Sequence, residues 1–340
     1  MLDLNTTGQP GPPCMGCIGS NISNHRKHPA RRGLRRFNGL TVVCLVGFAV
    51  LADGLAQVEY QPGQCYFGRS NYVEYLAGDL PVILSAPHGG ALKPAEIPDR
   101  KSGEFVPDAY TEELARTVYR VIHDRFGHYP HVVICRLQRR KLDVNRAPGE
   151  AAGGDPRAEQ AWQEYHGFIE IARSNVLAST GKGFYMDLHG HSNPIKRVEL
   201  GYCLSEDQLA NTDSVLNQAD CAGRSTIRGL AQRGHLPFAE LLRGTNSFGA
   251  LLAAKGYPAV PSPAMPSPGQ GNYYFNGGYS VRRYCTANGS FIDGLQMELN
   301  LAGVRDTPTN RTRFCLALAE VLDSFFKDHF GLDLKRSPAR

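Results

Sequence analysis

The residues best placed to do chemistry in this 340-residue chain lie in Gly183-Phe184-Tyr185-Met186-Asp187-Leu188-His189-Gly190-His191, an apolar run that ends on an acid and two histidines between glycines. A histidine beside an aspartate is a common ligand-and-support pair around zinc. Pro81-Val82-Ile83-Leu84-Ser85-Ala86-Pro87-His88-Gly89-Gly90 repeats the form, with His88 delivered into a Gly-Gly turn. If both runs are strands, Asp187, His189 and His191 share one face by strand alternation. One of the two later histidines then ligates, and the other packs or meets a substrate. Two strands that each present a histidine at their carboxyl end suggest a metallohydrolase.

Such a site needs a third protein ligand, a carboxylate or a histidine, and an open position. Glu112 and Glu113 lie between the two histidine segments, at the start of a helix-like stretch, where acids also simply favour the helix dipole. Glu298 is a different case. In Gly294-Leu295-Gln296-Met297-Glu298-Leu299-Asn300 it interrupts an apolar strand, and an acid is costly to bury there without a role. The run Arg139-Arg140-Lys141-Leu142-Asp143-Val144-Asn145-Arg146 reads first as a solvated charged face. Asn145-Arg146, directly before a Pro-Gly loop, could instead present a fork to a substrate carboxylate, and the same question arises for Arg197.

The elements that must position these groups alternate. Strands are expected at 82–86, 131–135, 184–188 and 294–300, and helices at 110–126, 158–179 and 310–330. The βαβ alternation predicts an α/β fold with a mixed, mostly parallel sheet and helices on both faces. A proline- and glycine-rich segment from Pro258 to Gly271 reads as a long loop, leading into an aromatic stretch at 273–279.

Composition fits an ordinary globular enzyme, with 42% hydrophobic and 20% charged residues. The net charge of +5 owes much to the cluster from His25 to Arg36, so the remainder is nearly neutral and nucleic-acid binding has little support. That cluster precedes an apolar run, Leu40 to Ala52, and then Asp53-Gly54-Leu55-Ala56-Gln57, the pattern of a signal peptide cleaved after Ala56. The apolar run is shorter than the roughly 18–20 residues that span a bilayer. We therefore expect a leader over 1–57, one catalytic domain over 58–335, and export without a stable membrane span, the alternative being tethering by an uncleaved anchor. Six cysteines follow the leader with no CxxC pair, which excludes a zinc ribbon, and at most one or two disulfides are expected. Cys135 and Cys315, in apolar runs, are expected to be buried thiols.

Taken in order, Ser85-Ala86-Pro87-His88-Gly89-Gly90, Asp108-Ala109-Tyr110-Thr111-Glu112-Glu113-Leu114-Ala115, Leu142-Asp143-Val144-Asn145-Arg146, Tyr165-His166, Asp187-Leu188-His189-Gly190-His191 and Gln296-Met297-Glu298 resemble the N-formylglutamate amidohydrolase family. The likeness covers roughly Leu80 to Arg305 and implies an amide hydrolase with one zinc ion on a carboxypeptidase-like α/β fold. It implies His88 and His189 as ligands, an acid of the Thr111–Ala115 segment as the third (Glu113, by its place before Leu-Ala), Glu298 as general base, Asn145-Arg146 on a substrate carboxylate and Asp187 behind a ligand histidine. His191 moves to the substrate side. It stands with Gly190 where better-known members carry a serine, and the segment 207–242 has no counterpart. The implied substrate is a small N-acyl amino acid or peptide bearing a carboxylate. An exported peptidoglycan amidase or metallocarboxypeptidase is the alternative, and an inactive binding protein on the same fold is a third.

Overall fold

A computed structural model describes residues 59–234, 236–285 and 291–336. The expected leader and its cleavage site lie outside the described residues. A single eight-stranded sheet forms the centre, with strands β1 (Cys65–Phe67), β2 (Val73–Leu76), β3 (Val82–Ala86), β4 (His131–Cys135), β5 (Gly183–His191), β6 (Val198–Gly201), β7 (Ala259–Val260) and β8 (Ile292–Asn300) in the order β1-β2-β4-β3-β5-β8-β6-β7. The four central strands β4, β3, β5 and β8 are parallel, while β2 and β6 flank them antiparallel. This is the mixed α/β architecture that the alternation of elements predicts.

Helices form where the sequence supplies both an apolar stripe and a stop. Helix α1 (Thr111–Phe126) buries Leu114, Val118 and Ile122 and ends at Gly127 in the left-handed conformation, φ 76°. Helix α2 (Pro156–Thr180) begins two residues before its expected start, because Asp155 caps it by accepting from the Arg157 and Ala158 N–H groups at 2.9 and 3.0 Å. Helix α3 (Tyr279–Cys285) follows the glycine-rich loop, and helix α4 (Pro308–Phe325) is capped by Thr307 and widens into a broader turn over Phe326–Phe330. The unmatched segment 207–242 folds as short helices whose Leu209, Leu216, Leu230 and Leu241 join the core.

Two apolar layers sandwich the sheet. Val82, Leu84, Met186, Leu188, Leu295, Met297 and Leu299 pack with α1 and α4, whereas Ile83, Val133 and Tyr185 pack with α2 and α3. Strand alternation therefore gives the central strands unequal faces near their carboxyl ends. Toward α1 and α4 they stay apolar, and toward α2 they carry Ser85, Asp187, His189, Gln296 and Glu298. Among the described residues Cys65, Cys135, Cys203, Cys221, Cys285 and Cys315 are all free, with Cys135 and Cys315 buried as expected. No helix among these residues is long and apolar enough to cross a membrane.

His131, at the start of β4, is fully enclosed. Its Nδ1 accepts the Gly78 N–H at 3.2 Å and lies 2.7 Å from the Tyr75 hydroxyl, which requires the neutral ring, and burial lowers its pKa to about 4. Unfolding frees this histidine to take up a proton at its ordinary pKa near 6.5, so its contribution is lost as pH falls from 6.5 to 4. We predict that denaturant titrations at pH 7 and pH 4.5 differ less for His131→Gln than for the unmodified protein, by about 2 kcal/mol. An identical pH dependence would remove His131 from this account.

Candidate metal centre

The carboxyl ends of β3, β5 and β8 meet at the floor of a cleft of about 640 Å³. His88 leaves the end of β3, and Gly89 beside it lets the N-terminus of α1 come close, since a Cβ there would strike the Glu112 backbone and the Thr111 hydroxyl. The Asp108 N–H donates to the His88 carbonyl at 3.1 Å, and the Thr111 hydroxyl donates to the Asp108 carbonyl at 2.8 Å. Tyr110 completes the turn at φ 67°, a left-handed conformation that a tyrosine adopts at a cost. This turn sets the Asp108 carboxylate against both histidines.

Its Oδ2 lies 2.9 Å from His189 Nδ1 and 3.3 Å from His88 Nδ1, and it also accepts the Gly190 N–H at 3.2 Å. The opposite ring nitrogens are held by other acids. His88 Nε2 donates to Asp143 Oδ1 at 2.7 Å, and His189 Nε2 donates to Asp187 Oδ2 at 3.1 Å. Both carboxylates are themselves fixed, Asp143 by Arg139 Nε at 3.0 Å and Asp187 by the Ser85 hydroxyl at 2.5 Å. Each imidazole is thus oriented from behind so that both Nδ1 atoms converge with one oxygen of Asp108, the carboxylate–histidine arrangement found around zinc. These three residues, all buried, form the group that could hold a metal ion. A separation of 3.3 Å between donors matches the edge of a tetrahedron with bonds of about 2.0–2.1 Å.

The electrostatics of the cluster suit a cation. Burial would raise the Asp108 carboxyl, but His88 and His189 outweigh it and hold the group well below the usual range. Burial would likewise lower His189, but Asp187, Asp108 and Glu298 raise it well above an ordinary histidine. A metal ion binding here displaces that proton. Glu298 faces the same space, with Oε1 4.0 Å from His189 Nδ1 and 2.9 Å from the Gln296 side-chain amide that donates to it. Burial pushes its pKa up to about 7.

The structure brings together His88, His189, Glu298, Asp187 and Asn145, whose Nδ2 lies 3.2 Å from His189 Nε2. It does not bring Glu113 to the histidines: Glu113 is exposed on α1, one residue off the apolar stripe, and Asp108 takes the place expected for it. Glu112 turns instead to Arg116 at 2.8 Å. Arg146 lines the cleft half-buried, paired with Glu150 at 3.1 Å. His191 lines it too, yet its Nε2 donates to the Arg197 carbonyl at 2.9 Å and its Nδ1 accepts the Asn193 N–H at 3.1 Å. Arg197, expected at the substrate, is buried away from the cleft and donates to the carbonyls of Pro268 and Tyr273 at 3.0 and 3.3 Å, tying down the proline-rich loop.

Sequence reasoning missed Asp108, Asp143 and Arg305. Asp143 carries the signal that singled out Glu298, an acid between apolar neighbours, here Leu142 and Val144. Arg305 is buried and donates to the backbone carbonyls of Leu299, His191 and Ala109, so one guanidinium joins three segments of the site. Gly190 makes room for it, since a Cβ at that position would overlap the guanidinium.

No family model and no curated protein matches this sequence. Solved structures similar to it include an N-formylglutamate amidohydrolase from Ralstonia eutropha JMP134, at 14% identity and TM-score 0.43, over 79% of this chain and 97% of that one. A gene product from Agrobacterium tumefaciens matches at 14% identity and TM-score 0.41, over 76% of this chain and 95% of that one. The apo form of an N-acetylmuramyl-L-alanine amidase from Mycobacterium abscessus matches at 11% and 0.35, over 72% and 98% respectively.

Substitutions separate the two candidate carboxylates. Asp108→Asn is expected to lose stoichiometric zinc after metal loading and dialysis, whereas Glu113→Gln retains it. Asp143→Asn is expected to weaken zinc affinity about 10- to 100-fold by releasing His88. Zinc retained by Asp108→Asn and lost by Glu113→Gln would reverse the assignment.

Proposed function

We propose that this protein is a zinc-dependent hydrolase that cleaves the amide bond of an N-acyl amino acid or small peptide bearing a carboxylate. The observation that carries the proposal is the convergence of His88 Nδ1, His189 Nδ1 and Asp108 Oδ2, with a separate carboxylate behind each ring. Two imidazole nitrogens and one carboxylate oxygen are a donor set that suits zinc. When bound, the ion supplies Lewis acidity and lowers the pKa of water toward about 7.

The chain's own groups supply the rest. Glu298, buried beside His189 with a pKa near 7, is matched to taking a proton from water and returning it to the leaving nitrogen. The Gln296 amide, donating to Oε1, fixes the direction in which that carboxylate presents its other oxygen. Asp187 and Asp143 hold the ring tautomers, so neither histidine turns away during the reaction. Arg146, half-buried at the cleft wall and paired there with the exposed Glu150, is suited to a substrate carboxylate, with Asn145 adjacent. The basic and then apolar leader supports export of the mature enzyme.

A panel of N-acyl amino acids and dipeptides assayed with zinc-loaded protein tests the activity. Glu298→Gln is expected to lower kcat by about 10²- to 10⁴-fold with zinc content unchanged, and Arg146→Ala to raise KM for substrates with a free carboxylate. Full turnover by Glu298→Gln would show that the base lies elsewhere.

A further inference from the structure

The cleft is not uniform along the sheet. Across its floor the strands run β4, β3, β5, β8, β6. Arg139 and Arg146 lie in the segment after β4, His88 follows β3, His189 ends β5, and Glu298 belongs to β8. Leu301, 40% exposed, directly follows β8. Phe275, 43% exposed, is held beside β6 by its N–H, which donates to Glu199 Oε2 at 3.0 Å. Both of these large side chains line the cleft while open to solvent. Leu301 and Phe275 therefore lie on the side of the cluster away from His88, beyond the β5 strand that carries His189.

Strand spacing sets the distances. With neighbouring strands about 4.8 Å apart, β8 lies roughly 5 Å and β6 roughly 10 Å beyond β5. A formyl group on the scissile nitrogen ends at the cluster and leaves Leu301 and Phe275 untouched. An acyl chain of about four to eight carbons reaches them. Covering exposed apolar groups with a ligand is favourable by the area removed from water.

We infer that the substrate is amphipathic: an N-acyl amino acid whose carboxylate pairs with Arg146, and whose medium-length aliphatic or aryl acyl group lies over Leu301 and Phe275. This rests on the amide-hydrolase reading and narrows it to substrates with a bulky apolar acyl part. The cleft volume of about 640 Å³ agrees, being far more than a formyl amino acid fills.

Two measurements on the zinc-loaded full chain test the inference. The first is kcat/KM for formyl, acetyl, butanoyl, hexanoyl and octanoyl derivatives of glutamate and of leucine. It is expected to rise about two- to fourfold per methylene from butanoyl upward, and Phe275→Ala combined with Leu301→Ala is expected to flatten that slope. The second is calorimetric affinity for free alkanoates from acetate to octanoate, which needs no turnover; it is expected to rise with chain length and to lose that rise in the double variant. A preference for formyl or acetyl substrates, or a slope that the double variant leaves intact, overturns the inference while amide hydrolysis stands. No hydrolysis of any member overturns the amide-hydrolase reading instead, and the alkanoate series then decides the apolar subsite by itself.

Discussion

The site depends on one oxygen. Asp108 Oδ2 receives the Nδ1 edges of His88 and His189 together with the Gly190 N–H, and nearly every local feature serves to bring those groups to it. A buried carboxylate with such neighbours is stable only as a fully partnered set, because each unpaired member would carry its desolvation cost alone. The turn through Tyr110, the close approach permitted by Gly89 and the carboxylates behind each ring are consequences of that requirement. A divalent cation would satisfy the same three donors in place of the protons they now share.

Much of the scaffold was legible in the residues themselves. The strand at Val82–Ala86, the helix from Thr111 and the strand at His131–Cys135 follow directly from apolar patterning and stop signals. So does the shared face of Asp187, His189 and His191, because strand period fixes which side chains of β5 sit together. Asp108 was not legible in this way. Helical spacing says which residues of α1 face the core, and Glu113 fails that test, but no periodicity governs the loop from Pro87 to Tyr110. Its length alone, with no helix or strand of its own, signals function. The direction of Arg197 was illegible for a related reason. A buried arginine satisfies its donors on whatever carbonyls the fold supplies, and here these belong to a loop some seventy residues further along the chain.

The two sheet faces show how the core and the site divide the same strands. Toward α1 and α4 the central strands stay apolar through their carboxyl ends, the buried Asp293 near the start of β8 being held by Arg233 and the Leu230 N–H, and this face carries the packing. Toward α2, strands β3, β5 and β8 give up their last apolar positions to polar ones, which lowers the hydrophobic contribution where their carboxyl ends open into the cleft. Ser85, Tyr185 and Asp187 form a hydrogen-bonded set at that boundary, with the Ser85 hydroxyl 2.5 Å from both partners. It holds the acids rigid without surrendering the packing on the other face.

The position of β8 bears on how the molecule comes into being. Among the described residues it is the last strand in chain order, yet it lies between β5 and β6, both of which precede it. Until it arrives, the edge of β5 that carries His189 lacks its neighbour, Glu298 is absent, and Arg305 has not joined Leu299, His191 and Ala109. Before β8 pairs with β5, the two histidines and Asp108 stand without Glu298 beside them and without the tie through Arg305, so the cluster is completed by the pairing of one late strand.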